Sequence, residues 1–97
     1  MRMGTRKRTE VERVLQQKGF AVHGGDHERF QYTSLEGKKT PIWTKVSRGS
    51  GHKDIATPNL SKMAKQCHLT NEQFDDLLDC PLSREKYEFI LLEKEII

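Results

Sequence analysis

Gly24-Gly25-Asp26-His27-Glu28-Arg29-Phe30 is the stretch in which residue types and spacing come nearest to a reaction centre. Histidine is the side chain whose proton leaves or arrives near neutral pH. It therefore suits acid–base work on a ribose hydroxyl or a leaving oxygen. The pair Gly24 and Gly25 permits tight or positive-φ backbone just ahead of His27. The alternation that follows reads as a strand, which would hold the imidazole at a fixed point on a sheet edge. Asp26 and Glu28 flank it and would favour the imidazolium if they faced it, but neighbours along a strand point to opposite faces. Residue type alone does not separate His27 from an ordinary surface histidine.

Cations suited to phosphate follow at Lys45, Arg48, Lys53, Lys62 and Lys65. Residues 1–65 carry fourteen Lys and Arg against six Asp and Glu, whereas residues 66–97 carry three against eight. The first two thirds thus have the electrostatic footprint of a phosphate-binding surface, although any one of these lysines could equally belong to a solvated face. Trp43, beside Lys45, offers a ring on which a base could stack. Against that, the apolar stripes of residues 71–97 need burial, and the favoured expectation is that they fold back over the indole. Cys67-His68, Cys80 and His52 have no compact zinc-ligand spacing, so neither metal nor cofactor is expected. No Ser-His-Asp order, phosphate loop or dinucleotide fingerprint is present, and Gly49-Ser50-Gly51 is too short to cradle phosphates.

The elements that must position these groups can be read from periodicity. A chain of 97 residues has room for one domain. A first helix is expected over 10–18, capped by Thr9 with Glu12 and stopped by Gly19. Phe20-Ala21-Val22 starts a strand. Residues 28–34 form a second and 39–46 a third, joined by a turn at Glu36-Gly37-Lys38. Pro41 places that last strand at an edge. Residues 47–56 read as a loop, and Thr57-Pro58 opens a second helix through Leu60, Met63, Ala64 and Cys67. Thr70 with Gln73 caps a third helix and Ser83 a fourth. The class is therefore α+β: an α-β-β-β-α domain over 1–67 with the double-stranded-RNA-binding order, then an acidic helical extension over 68–97. That extension is expected to pack on the core or to form a homodimer interface. The longest apolar run, Phe89 to Leu92, is far too short for a membrane span. The basic amino terminus lacks the apolar stretch of a secretory signal. Two cysteines make no disulfide framework. A cytoplasmic protein with reduced thiols is expected.

Three segments in order resemble the HicA family of toxins. Val14-Leu15-Gln16-Gln17-Lys18-Gly19-Phe20 is similar to its opening motif. Gly24-Gly25-Asp26-His27 is similar to its Gly-Ser-x-His signature. His52-Lys53-Asp54-Ile55 with Asn59-Leu60-Ser61-Lys62-Met63-Ala64-Lys65-Gln66 is similar to its ending. The likeness covers about residues 8–67. It departs at Gly25, where the family has Ser, at Pro58-Asn59 in place of Gly-Thr, and in loop 47–56. The resemblance implies a metal-independent endoribonuclease (an mRNA interferase) of a toxin–antitoxin pair, inhibited by a HicB-like antitoxin. His27 would be its acid–base residue, and the products a cyclic phosphate and a 5′-hydroxyl. A second acid–base group is not evident, His52 being the nearest candidate. The alternative from another class is a non-catalytic double-stranded-RNA-binding module using the same cations.

Overall fold

The protein is described by a computed structural model that covers residues 5–24, 28–46, 54–79 and 81–97. The elements in chain order are β1 (Arg6–Lys7), α1 (Arg8–Gln17), β2 (Phe20–His23), β3 (Glu28–Thr33), β4 (Lys39–Val46), β5 (Asp54–Ile55), α2 (Thr57–Gln66), α3 (Asn71–Asp79) and α4 (Arg84–Glu93). β2, β3 and β4 form an antiparallel sheet in that order, and β1 pairs with β5. The fold is thus α+β, with four helices and a small antiparallel sheet.

Local chemistry explains most element boundaries. Gly19 ends α1 with φ of 97°, and Gly37 takes φ of 85° in the β3–β4 turn, values that L side chains rarely adopt. Thr70 and Gln73 form the expected reciprocal cap of α3, each side chain accepting the other's backbone N–H at 3.0 Å. Ser83 Oγ accepts from Lys86 N at 3.1 Å and starts α4. Pro41 lies on β4, an edge strand, where a missing ladder donor is tolerated.

Two helix starts differ from the sequence reading, for one reason. α1 begins at Arg8, behind Lys7 with no side-chain cap, so Thr9 lies inside the helix and makes no capping box with Glu12. α2 begins at Thr57, behind Ala56, again without a side-chain cap. The short strands β1 and β5 run straight into these helices and pair as Arg6↔Ile55 and Lys7↔Asp54. Pairing holds Lys7 extended just ahead of α1, and β5 leads directly to the extended Ala56, so each helix starts as soon as its strand ends. The pair also brings the two helix N-termini side by side.

All four helices lie on the side of the sheet that carries Phe20, Phe30, Tyr32, Ile42, Thr44 and Val46, all buried with them in one core. Phe20, Tyr32 and Tyr87 of α4 form an aromatic cluster with ring centroids 5.0–5.9 Å apart. The carboxylate of buried Glu88 accepts from Tyr32 Oη at 2.7 Å and from Leu35 N at 2.8 Å. Arg84 donates to the carbonyls of Thr33 and Ser34 at 3.0 and 3.2 Å. A side chain at Gly19 would meet Arg84 Nε at 2.5 Å. Arg6 donates to Asp75 and Asp79, both at 2.9 Å, tying β1 to α3. The two C-terminal helices therefore share the core of residues 1–67.

This arrangement overturns the expectation that residues 71–97 cover Trp43. Apolar stripes demand burial but do not say against which face. Here Tyr87 and Leu91 are satisfied by the aromatic side of the sheet, and Trp43 on the opposite side stays 37% exposed.

Candidate phosphate-binding cleft and sheet face

Strand alternation sorts β4 into a buried set (Thr40, Ile42, Thr44, Val46) and an exposed set (Lys39, Pro41, Trp43, Lys45). The register places Ala21, Gln31 and Trp43 in one cross-strand row and His23, Arg29 and Lys45 in the next. On this face the rings of His23 and Trp43 reach toward each other over β3, with centroids 5.0 Å apart and planes tilted by 47°. Gln31, in the same row as Trp43, is buried although it points to the helix-free side, and its amide donates to Thr40 O at 2.9 Å. His23 Nε2 is buried without a hydrogen-bond partner.

At the end of β4, a cleft of about 510 Å³ opens between β4, β5, the start of α1 at Arg8 and one face of α2 from Asn59 to Gln66. Arg8, Lys45 and Lys62 line it together with Asn59 and Gln66, and Asp54 is the one carboxylate among the described lining residues. Asn59, Lys62 and Gln66 fall on one face of α2, at i, i+3 and i+7. Gln66 Oε1 accepts from Thr44 Oγ1 at 2.7 Å and from Lys45 N at 3.4 Å, so α2 is docked on the strand that delivers Lys45. Among the described residues three cations and one carboxylate line this concave site, and Arg8 also pairs with Glu12 at 3.9 Å; a cationic cleft of ligand size suits a phosphodiester.

The residues named from sequence are divided by the structure. Lys45 and Lys62 converge on the cleft, whereas Lys65 lies on another face of α2, outside it. His27, Gly25, Arg48 and Lys53 lie outside the described residues, as do His52 and Cys80. Glu28, the residue after His27 in the chain, pairs with Val46, which lines the cleft. Gly24 corrects an expectation. Its φ is not in the left-handed region and an added Cβ would meet nothing within 4 Å, so neither space nor backbone requires glycine there. The structure thus gives no conformational reason for glycine at position 24 itself.

Arg8, His23 and Arg29 were not singled out from sequence. For His23 the signal was available: extending strand 20–22 by one residue puts it on the side of Ala21 and Trp43. Arg8 comes to the cleft through the β1–β5 pair, which two-residue strands do not announce. Cys67 is fully buried and its thiol is pushed up to about 12 by desolvation, so it is no nucleophile at neutral pH. Among the described residues no group of three or more His, Cys, Asp or Glu is placed to hold a metal ion. Nor, among them, is any helix long and apolar enough to cross a membrane. No family model matches this chain, and neither a curated protein nor a solved structure shows significant similarity to it.

Proposed function

We propose that this chain is an RNA endonuclease toxin of the HicA type. It is built on the double-stranded-RNA-binding order α1-β2-β3-β4-α2, with α3 and α4 added to its core. The observation that carries the reading is the cleft at the end of β4. Arg8, Lys45 and Lys62 converge there, and Glu28, bonded to His27, pairs with the cleft residue Val46. Cations in the cleft hold the phosphate to be cut and stabilise charge on the phosphorane. The ribose 2′-hydroxyl attacks that phosphate while His27 moves a proton. The P–O5′ bond breaks to leave a 2′,3′-cyclic phosphate and a 5′-hydroxyl. A nucleophile supplied by the substrate itself needs only positioning and proton transfer. A HicB-like antitoxin acts by covering His27 and the cleft in the cytoplasm.

His27→Ala tests this directly. Cleavage of RNA by the purified protein falls by about 10²–10⁴-fold, the usual worth of a positioned acid–base group. Growth arrest on expression disappears, while the circular dichroism spectrum and RNA affinity are retained. Unchanged cleavage and toxicity would remove the nuclease reading. RNA binding without cleavage in the unaltered protein would leave a binding module.

A further inference from the structure

The helix-free side of the sheet is a built surface with a recognisable chemistry. Trp43 and His23 place two aromatic rings in contact at its centre. Arg29 and Lys45 stand in the next cross-strand row, both exposed. Across the two rows Ala21–Gln31–Trp43 and His23–Arg29–Lys45 there is no carboxylate. Trp43 keeps 37% of its surface in solvent, and among the described residues no helix lies over it. His23 Nε2 is buried without a hydrogen-bond partner among the described residues.

Lys45 joins this face to the cleft, since it belongs to the exposed row and also lines the cavity. Trp43 lies two residues from it along β4, about 6.8 Å. A nucleobase stacked on the indole would therefore stand one short step from a phosphate held in the cleft. Every base has a π-face, so such a platform takes unstacked bases with little sequence demand. A base inside a duplex cannot reach it.

We infer that Trp43, backed by His23, is a stacking platform for an unpaired base next to the phosphate in the cleft, with Arg29 and Lys45 contacting the backbone, so that the substrate is single-stranded RNA. This rests on the proposed function for the cleft and adds the substrate class.

Trp43 is the single tryptophan of the chain and reports on its own occupancy. The experiment uses the full chain carrying His27→Ala, so that RNA is not consumed. Three probes are compared: a short mixed-sequence single-stranded RNA, the same strand annealed to its complement, and an abasic ribose-phosphate strand of equal length. Single-stranded RNA is expected to quench Trp43 emission, whereas the duplex and the abasic strand leave it unchanged and bind more weakly. Trp43→Ala lowers single-strand affinity on the order of 10-fold or more, without weakening the abasic strand. Trp43→Phe, which keeps a ring and checks folding, restores most of the affinity.

Equal quenching by duplex and single strand, or unchanged affinity in Trp43→Ala, would overturn the platform. So would a blue shift of emission that grows with protein concentration and ignores RNA, because that marks a second copy on this face. The two readings fail separately. A protein that cleaves RNA but is indifferent to Trp43→Ala keeps the nuclease and loses the platform. A protein quenched by single strands but unable to cut keeps the platform and loses the nuclease.

Discussion

The two sides of one sheet are built from the same three strands and differ in how far they are buried and in the charge they carry. On the helix side, Phe20, Phe30, Tyr32, Ile42, Thr44 and Val46 are almost wholly removed from water. On the other side the alternating residues include His23, Arg29, Gln31, Trp43 and Lys45, and none of the four helices packs on it. Aromatic rings occur on both. Phe20 and Tyr32 are enclosed with Tyr87, whereas Trp43 meets His23 alone among the aromatic rings of the described residues and stays partly wet. An aromatic residue in a strand is thus not a core marker in itself; its parity relative to the helix layer decides its work. The buried apolar side chains of the sheet are concentrated on one face.

Phe30 and Arg29 are adjacent in β3 and belong to opposite faces, so substituting them separates stability from binding. Phe30→Ala is the largest effect expected. The side chain is fully buried at the centre of the sheet, and truncating a buried aromatic costs about 3–5 kcal/mol. A chain of this size holds about 5–10 kcal/mol in total, so the urea midpoint should fall by roughly half or the protein should unfold. A drop below about 1 kcal/mol would mean that the helix layer does not depend on this face.

A smaller effect is expected where the helix side contains charge. Glu88→Ala leaves Tyr32 Oη and Leu35 N without the acceptor they share. Burying unsatisfied donors costs about 1–3 kcal/mol. Tyr32→Phe in the Glu88→Ala background removes one of those orphans and should recover part of the loss, a coupling that a double-mutant cycle measures. Additive losses would show that α4 is held by packing alone and that the carboxylate is incidental.

Much of the helix side was legible in the sequence. Gly19 and Gly37, the Thr70–Gln73 box and Ser83 are local signals with local consequences, and each sits where its chemistry requires. The 39–46 alternation placed Ile42, Thr44 and Val46 on one face and Trp43 and Lys45 on the other. What could not be read was the partner of each face. The stripes of α3 and α4 were visible, but their choice of the Phe20–Tyr32 side depends on contacts between residues more than fifty positions apart, as with Tyr32 and Glu88. The β1–β5 pair is two residues long and has no period to detect, so Arg8 was missed and both helix starts were misplaced. Of the cations chosen for charge alone, Lys45 and Lys62 converge because register and helical phase bring them together. Lys65, six positions after Asn59, falls roughly 120° around the helix from it and leaves the cleft by the same rule of phase.

Arg29→Ala is the smallest effect on stability and completes the comparison. Arg29 is exposed, and the row it shares with His23 and Lys45 offers no carboxylate partner. Truncating it should change the unfolding free energy by no more than about 0.5 kcal/mol, the usual range for a surface position. Its consequence should lie in binding. A guanidinium that neutralises one phosphate releases condensed counterions, so its loss weakens RNA binding at low salt and reduces the slope of log affinity against log salt by about 1. Because the contact is to the backbone, the loss should be similar for strands of different sequence and for the abasic strand. A destabilisation as large as that of Phe30→Ala would mean that the open face carries the fold as much as the closed one, and an unaltered salt slope would place the RNA backbone elsewhere on the molecule.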